Sequence, residues 1–261
     1  MVTVRRIFLT AVLLALAGAA WAQDQGREFH WKGTLPADQT VAIKNVNGDI
    51  DATGIDGSEI EVSAVKTGPD ADEVRIEVIP SADGVTICAV YPGSSARCGD
   101  SYHNHSHHDN SEAQVHFNVR VPKNLRFSAD NVNGSVRAEK MGRFVRANSV
   151  NGNVEVSTAA WAQAETVNGS IEATMGDAAW NGTLKIESVN GSITLDMPND
   201  FSAEVSFSSL NGSIRSDFPL TTSDHWPVGH SASGRIGNGG RELKLKTVNG
   251  SVDLRKGAPG I

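Results

Sequence analysis

A short phrase built around Asn-Gly recurs seven times along this chain and limits the possible folds more than any other feature. In each copy an aliphatic residue precedes Asn-Gly, a small polar or acidic residue follows, and Ile or Val comes next. Repetition at near-regular spacing is typical of stacked repeat architectures, so we expect one structural unit per copy. The pairs are Asn47-Gly48, Asn133-Gly134, Asn151-Gly152, Asn168-Gly169, Asn190-Gly191, Asn211-Gly212 and Asn249-Gly250.

Alternating segments flank these pairs and predict β-strands. The run from Leu184 to Ser188 precedes one pair, the run from Ile193 to Asp196 follows it, and both alternate apolar with polar residues. From Asn133 to Asn211 successive pairs lie 17 to 22 residues apart, a length that suits one coil of two or three short strands. We therefore predict an all-β fold, a single-chain β-solenoid with Asn-Gly corners. A meander of Asn-Gly hairpins is the alternative.

The corner residues themselves favour the solenoid. Gly reaches positive φ without steric cost and Asn tolerates it, which suits a tight corner. The aliphatic residue before each pair is out of phase with its strand, as Val189 is with Ile186 and Ser188. A hairpin would leave it in solvent, whereas a bent corner can turn it inward. Stacked corners would also bring the Asn side chains into a ladder of amide hydrogen bonds.

The first 22 residues have the pattern of a secretory signal peptide. Arg5 and Arg6 start it, an apolar run from Ile7 to Ala19 follows, and the small-x-small pattern ends at Ala22, the predicted cleavage site. The arginine pair also partly matches a twin-arginine signal, although ordinary secretion is favoured. We expect a mature domain of residues 23–261 without a transmembrane segment, periplasmic or secreted.

Charge and cysteine content narrow the function classes. The chain has a net charge of −7, and the leader holds two arginines and no acid, so the mature chain carries −9. An acidic chain without a basic cluster argues against nucleic acid as a partner. Cys88 and Cys98 are the two cysteines, and in an exported protein they are expected to form a disulfide, which typically adds ~2–4 kcal/mol.

Two long segments, 92–112 and 221–240, are expected to be loops. The first is rich in histidine, and its side chains could bind Zn²⁺, Cu²⁺ or Ni²⁺. A mobile polar loop beside the disulfide and a charge switch at low pH are the alternatives. The candidate ligands are His103, His105, His107 and His108.

Signatures of catalysis are missing from the sequence. It contains no Gly-x-Ser-x-Gly, His-Glu-x-x-His or phosphate-loop motif. Stacking could still assemble carboxylates into a polysaccharide lyase or hydrolase site. Trp161, Trp180 and Trp226 could form an aromatic platform for sugars, or could cap the core, and His225 and His230 lie beside the last of them.

The phrases resemble the putative-adhesin β-strand-repeat family, a bacterial envelope domain of unknown function. The matching landmarks cover nearly the whole mature chain: the first Asn-Gly phrase with Ile55-Asp56-Gly57, the segment Val119-Arg120-Val121-Pro122, and Leu195-Asp196-Met197-Pro198. The resemblance implies a β-helical fold, an exported location, and no enzyme or known ligand. The histidine-rich loop is not part of the family pattern.

These observations predict an exported, non-enzymatic protein of the cell envelope, a structural or adhesin-like binding module. Its partner would be an envelope polysaccharide or a protein surface, and no cofactor is expected. Two other classes stay open: a carbohydrate-active enzyme on the same scaffold, and a periplasmic metal or envelope-stress sensor that uses the histidine-rich loop.

Overall fold

The computed structural model describes residues 21–92, 98, 111–224 and 229–257. These residues form 22 strands and one short 3-10 turn, Ala71–Glu73, so the all-β prediction is confirmed. The strands in chain order are β1 Trp21–Gln25, β2 Glu28–Gly33, β3 Thr40–Lys44, β4 Ile50–Ile55, β5 Ile60–Thr67, β6 Arg75–Ser81, β7 Gly84–Val90, β8 Gln114–Pro122, β9 Arg126–Asn133, β10 Val136–Met141, β11 Val145–Asn151, β12 Val154–Thr158, β13 Ala162–Asn168, β14 Ile171–Met175, β15 Thr183–Asn190, β16 Ile193–Met197, β17 Ala203–Asn211, β18 Ile214–Ser216, β19 Thr221–Asp224, β20 His230–Ile236, β21 Glu242–Asn249 and β22 Val252–Lys256.

The strands form two sheets that face each other across one core. The first sheet has the order β1-β2-β5-β8-β4-β10-β12-β14-β16-β22-β18, and the second has the order β19-β20-β17-β21-β15-β13-β11-β9-β3-β7-β6. Alternate residues point inward, so equivalent positions form buried rows such as Val136, Val154, Ile171, Ile193 and Val252. A single unit would leave its apolar face in water, and stacked neighbours cover it.

Each repeat contributes one strand to each sheet, and neighbouring repeats pair in parallel and in register. The register continues to the corner, where Asn151 lies opposite both Asn133 and Asn168. The layers do not follow chain order throughout: β21 lies between β15 and β17, and β22 lies between β16 and β18. The corner order is therefore 47, 133, 151, 168, 190, 249, 211. Stacking in chain order fails at one junction, because the Asn190 unit pairs with the Asn249 unit instead of the Asn211 unit.

The N-terminal part departs from the parallel pattern. Strands β6 and β7 form an antiparallel hairpin, with Ala82 and Asp83 as the turn between the paired residues Ser81 and Gly84. A disulfide joins Cys88 in β7 to Cys98, with a Cα–Cα distance of 5.6 Å. Strand β1 begins at Trp21 and pairs with β2, so it overlaps the predicted leader, whose cleavage at Ala22 stays a prediction.

The segment 221–240 is not the loop that the sequence suggests. It contains β19 and β20, which pair antiparallel, and β20 also pairs antiparallel with β17. This hairpin continues the second sheet beyond the last parallel layer. In the ranges that the structure describes, no helix has the length and apolar character of a membrane span.

Candidate functional site

The seven Asn-Gly pairs lie along one edge of the stack, where the chain passes from the second sheet to the first. Six of the asparagines end a strand of the second sheet. From Asn133 to Asn211, each Nδ2 donates a hydrogen bond of 2.7–2.8 Å to the Oδ1 of the asparagine one layer before it in the order given above. These bonds form one ladder of exposed amides along the corner, which we call the asparagine ladder.

A buried polar residue two positions before each asparagine supports the corner from inside. The Thr166 hydroxyl, for example, donates to the Gly152 carbonyl of the adjacent layer at 2.9 Å. Sequence reasoning placed these residues on the inner face but did not find this role, although all seven phrases carry Asn, Ser or Thr here. The full set is Asn45, Asn131, Ser149, Thr166, Ser188, Thr247 and Ser209, all at most 5% exposed.

The corner glycines are required mostly by close packing of the layers rather than by positive φ. Only Gly48 and Gly134 among the seven have positive φ, at 106° and 139°. At Gly169 an added Cβ would lie under 3.0 Å from the backbone carbonyl of Gly152 in the next layer, and the other corners repeat this pattern. The expectation of a positive-φ turn at every pair is therefore wrong for five of them.

Four of the aliphatic residues before the asparagines point outward, so the expectation that a bent corner turns them inward is wrong for these, whereas Val46 packs partly against the core. Val150, Val167 and Val189 are 39–40% exposed and Leu210 is 47% exposed. The strand keeps its alternation through the aliphatic residue, and the bend begins at the asparagine, which is exposed although alternation would turn it inward. We call this row the valine stripe; in stacking order it comprises Val46, Val132, Val150, Val167, Val189, Val248 and Leu210.

Five members of the valine stripe, Val132, Val150, Val167, Val189 and Val248, line an open groove of about 660 Å³ on the outer face of the second sheet. Seven layers at ~4.8 Å spacing give the stripe a length of roughly 29 Å. The asparagine ladder follows the stripe one residue farther along each strand. A polar row runs along the other side of the stripe, and in stacking order it holds Lys44, Asp130, Asn148, Glu165, Glu187 and Lys246.

Some members of the polar row are held by their neighbours. Asn148 Nδ2 donates to Asp130 Oδ1 at 2.7 Å, and Gln163 donates to Glu165 at 2.9 Å. The Oδ1 of Asn148 is buried and has no hydrogen-bond partner among the described residues. The groove thus offers an apolar strip between two rows of polar groups, and it repeats the same arrangement once per layer.

Outside the groove, a network of charged side chains lies on the first sheet. Glu61 accepts hydrogen bonds from Lys32 at 2.7 Å and from Arg120 at 2.8 Å, and these contacts lower the pKa of the Glu61 carboxyl. Hydrogen bonds from Lys32 to Glu61 and then to Glu59 raise the pKa of the Lys32 amine. These side chains are exposed and pair with each other, which indicates a structural role for the network.

A comparison with known protein families decides the classification. The profile of the family described as Toastrack DUF4097 matches residues 33–255. The chain belongs to this family. The match confirms the family resemblance seen in the sequence, and no curated protein matches the chain.

Solved structures similar to this Toastrack chain share little sequence with it. A protein from Clostridium sporogenes described as a putative cell adhesion protein is 11% identical, with a TM-score of 0.47, and the match covers 87% of this chain and 99% of that one. A putative adhesin from Bacteroides fragilis is 12% identical, with a TM-score of 0.40, and coverage is 88% and 97%. A putative adhesin from Parabacteroides merdae is 10% identical, with a TM-score of 0.26, and coverage is 88% and 97%.

The other predicted sites of the Toastrack chain fall partly outside the described residues. His103, His105, His107 and His108 lie there, as do His225 and Trp226, so the metal site stays a prediction. Within the described ranges, no group of three or more His, Cys, Asp or Glu side chains could hold a metal ion.

The two described tryptophans of the predicted sugar platform lie apart from the groove. Trp180 is 2% exposed, donates its indole N–H to the Glu242 carbonyl at 3.0 Å, and packs on Phe201. Trp161 is partly buried against the core and contacts Phe144. Trp180 therefore caps the core and cannot take part in a sugar platform.

Proposed function

We propose that this chain is an exported, non-enzymatic binding module of the bacterial cell envelope that holds an extended polysaccharide along the valine stripe. The valine groove carries this proposal. Of the five most exposed large hydrophobic side chains in the described ranges, four belong to the stripe, and a contiguous apolar surface of this kind is typical of an interaction site.

The groove chemistry suits a sugar chain. The apolar faces of sugar rings can lie on the valines, while their hydroxyls can bond to the amide ladder on one side and to the polar row on the other. Binding sites of this type combine an apolar lining with a few fixed polar groups. Because the pattern repeats once per layer, a polymer that runs along the stack axis meets the same groups again and again.

The arrangement favours binding over catalysis. Glu165 and Glu187 are adjacent in register and both line the groove, which is the observation that favours a glycoside hydrolase as the competing function. Hydrolysis requires two carboxylates that flank the scissile bond. These two project from the same open sheet face, so a sugar can lie on them but not between them. Release of reducing sugars from envelope polysaccharide tests the alternative. A hydrolase would release them, and its Glu165→Gln and Glu187→Gln variants would not, whereas our proposal expects no release even by the wild-type protein.

Binding is tested by sedimentation with insoluble polysaccharide purified from the envelope of the source bacterium. The wild-type protein should pellet with it, and a Val167→Asn/Val189→Asn variant should bind about tenfold more weakly or worse, because it places polar amides on the apolar strip. Val65 is 47% exposed and lies outside the groove, so Val65→Asn is the matched control and should bind like wild type. Equal binding by the groove variant, or pelleting only with envelope protein, would contradict the proposal.

Export is tested separately. The proposal expects the protein in the periplasmic or secreted fraction with Gln23 as its first residue, which N-terminal sequencing of the purified protein measures. A cytoplasmic chain that retains Met1 would contradict this part of the proposal and leave the groove experiment valid.

A further inference from the structure

Nine Asn-Gly pairs occur in the chain, and their chemistry has consequences for the ladder. They are the seven corners and two loop pairs, Asn181-Gly182 and Asn238-Gly239. Asn-Gly is prone to deamidation, because glycine lets the next backbone nitrogen approach the asparagine side chain. That nitrogen attacks Cγ, ammonia leaves, and the cyclic imide takes up water to give aspartate or isoaspartate. One water is consumed and one ammonia released, with no change in oxidation state.

The stack restrains this reaction at six corners. There the glycine N–H donates a hydrogen bond of 2.8–3.0 Å to the asparagine carbonyl of the next layer. The nitrogen is thus held toward the neighbouring layer and away from its own side chain. In the interior of the ladder the asparagine amide is also held on both sides, since it donates to one neighbour and accepts from the other. The six glycines are Gly48, Gly134, Gly152, Gly169, Gly191 and Gly250.

In the described part of the chain, the corner at Asn211 lacks this restraint. It is the last layer of the ladder, and β18 is the last strand of the first sheet. Among the described residues, the Gly212 N–H donates no hydrogen bond and the Asn211 Oδ1 accepts none. Strand β20 begins at His230, opposite Ser209, and so does not pair with the chain at the corner itself. Asn211 is exposed, and within the described ranges one side-chain bond holds it, from its Nδ2 to Asn249 Oδ1 at 2.8 Å.

We propose that Asn211 is a site of spontaneous deamidation in the folded protein, while the other six corners are protected by the layer beside them. Conversion to aspartate replaces the donor to Asn249 by a carboxylate, and conversion to isoaspartate adds an atom to the backbone between β17 and β18. Either product loosens the terminal layer and puts a negative charge at the Leu210 end of the valine stripe.

The two loop pairs serve as internal references. Asn181 is exposed, and the Gly182 N–H donates no hydrogen bond in the described part of the chain, so Asn181 should react at least as fast as Asn211. The Gly239 N–H donates to the Ile236 carbonyl at 3.1 Å, so Asn238 should be slower than Asn181.

The test is incubation of the folded protein at mildly alkaline pH, followed by peptide mapping by mass spectrometry with separation of aspartate from isoaspartate. Asn211 should react about fivefold faster than Asn151, Asn168 or Asn190, which corresponds to one backbone hydrogen bond of ~1 kcal/mol. Equal rates at these four corners would overturn the proposal.

A substitution and a denatured sample separate the fold from the local sequence. Leu210→Val makes residues 209–214 identical to residues 188–193, so any remaining difference between Asn211 and Asn190 comes from the structure. In denaturant the two sites of this variant should react at equal rates, and in the folded protein Asn211 should be faster. A faster Asn211 in denaturant, or equal rates in the folded variant, would show that the layer does not protect the corner.

Discussion

The asparagine ladder ends in two different ways. At the Asn47 end, Asn45 is fully buried and donates to the carbonyls of Asn47, Gly48 and Val115, and the Tyr91 hydroxyl lies 2.9 Å from the Asn47 carbonyl. At the Asn211 end, the stack stops at a three-residue strand, β18, although Phe218 covers the core below it. In the middle of the stack, neighbouring repeats supply each other's hydrogen-bond partners and cover each other's apolar faces. Specialised residues are therefore needed only at the ends, as in other repeat proteins.

The largest expected effect is at an interior corner. Gly169→Ala should destabilise the protein by about 3 kcal/mol or more, because the new Cβ meets the rigid backbone of the next layer. Gly212→Ala creates the same contact with Gly250 but lies in the terminal layer, which can shift outward, so we expect about 1–2 kcal/mol. Urea unfolding of both variants measures the difference. An equal loss would mean that the terminal layer is as constrained as the interior.

Substitutions at the Asn47 end of the ladder should have the next largest effect on the free energy of unfolding. Asn45→Ala removes the side-chain donor to the Val115 carbonyl and one of several donors to the Asn47 and Gly48 carbonyls, and we expect a loss of about 2–3 kcal/mol. Tyr91→Phe removes one hydroxyl from the same group and should cost about 1 kcal/mol. Thermal and urea unfolding measure both, and a neutral Asn45→Ala variant would show that this residue does not hold the corner.

Each buried hydroxyl inside the corner should contribute less to the free energy of unfolding. Thr166→Val removes the bond to the Gly152 carbonyl with little change in shape, and we expect a loss of about 1 kcal/mol. Thr174 is partly exposed on the outer face of the first sheet, so Thr174→Val is the control and should be near neutral. A control that loses as much as Thr166→Val would assign the effect to strand packing instead.

The smallest effect concerns the charged network on the first sheet. The lowered pKa of Glu61 means that its contribution is present above the pKa of the unfolded chain and is lost as the pH falls through the folded pKa. Stability at neutral pH should therefore exceed that at acidic pH by a small amount that Glu61→Gln removes and salt reduces. If the stability of the Glu61→Gln variant falls at acidic pH as much as that of the wild type, the effect belongs to other carboxylates.

Much of the fold follows from local pattern, and the errors have physical causes. Alternation around Asn168 and Asn190 predicts the strands and their parallel stacking. The alternation does not encode the order of the layers. The β19–β20 hairpin lies between β17 and β21 in sequence, and it allows the last coil, which contains β21 and β22, to insert beside β15 and β16. The outward direction of Val167 was missed, because the sequence does not show that the strand continues as far as Asn168.

The candidate site was visible in the sequence only in part. The asparagine ladder follows from stacking, and the valine stripe consists of residues that the repeat makes obvious. Their exposure is a property of the three-dimensional corner, where close approach of Gly152 and Gly169 fixes the bend that begins at the asparagine. The polar row requires the register between strands, which brings Glu165 beside Glu187 and cannot be read from spacing alone.

Cysteine cross-linking of the corner asparagines tests the stacking order most directly. Adjacent layers lie ~4.8 Å apart, within the Cα–Cα range of a disulfide, while layers two apart are outside it. An Asn190→Cys/Asn249→Cys variant should form an internal disulfide on mild oxidation, detected by mass spectrometry of the digested protein, and an Asn190→Cys/Asn211→Cys variant should not. The reverse result would place the layers in simple chain order and contradict the architecture.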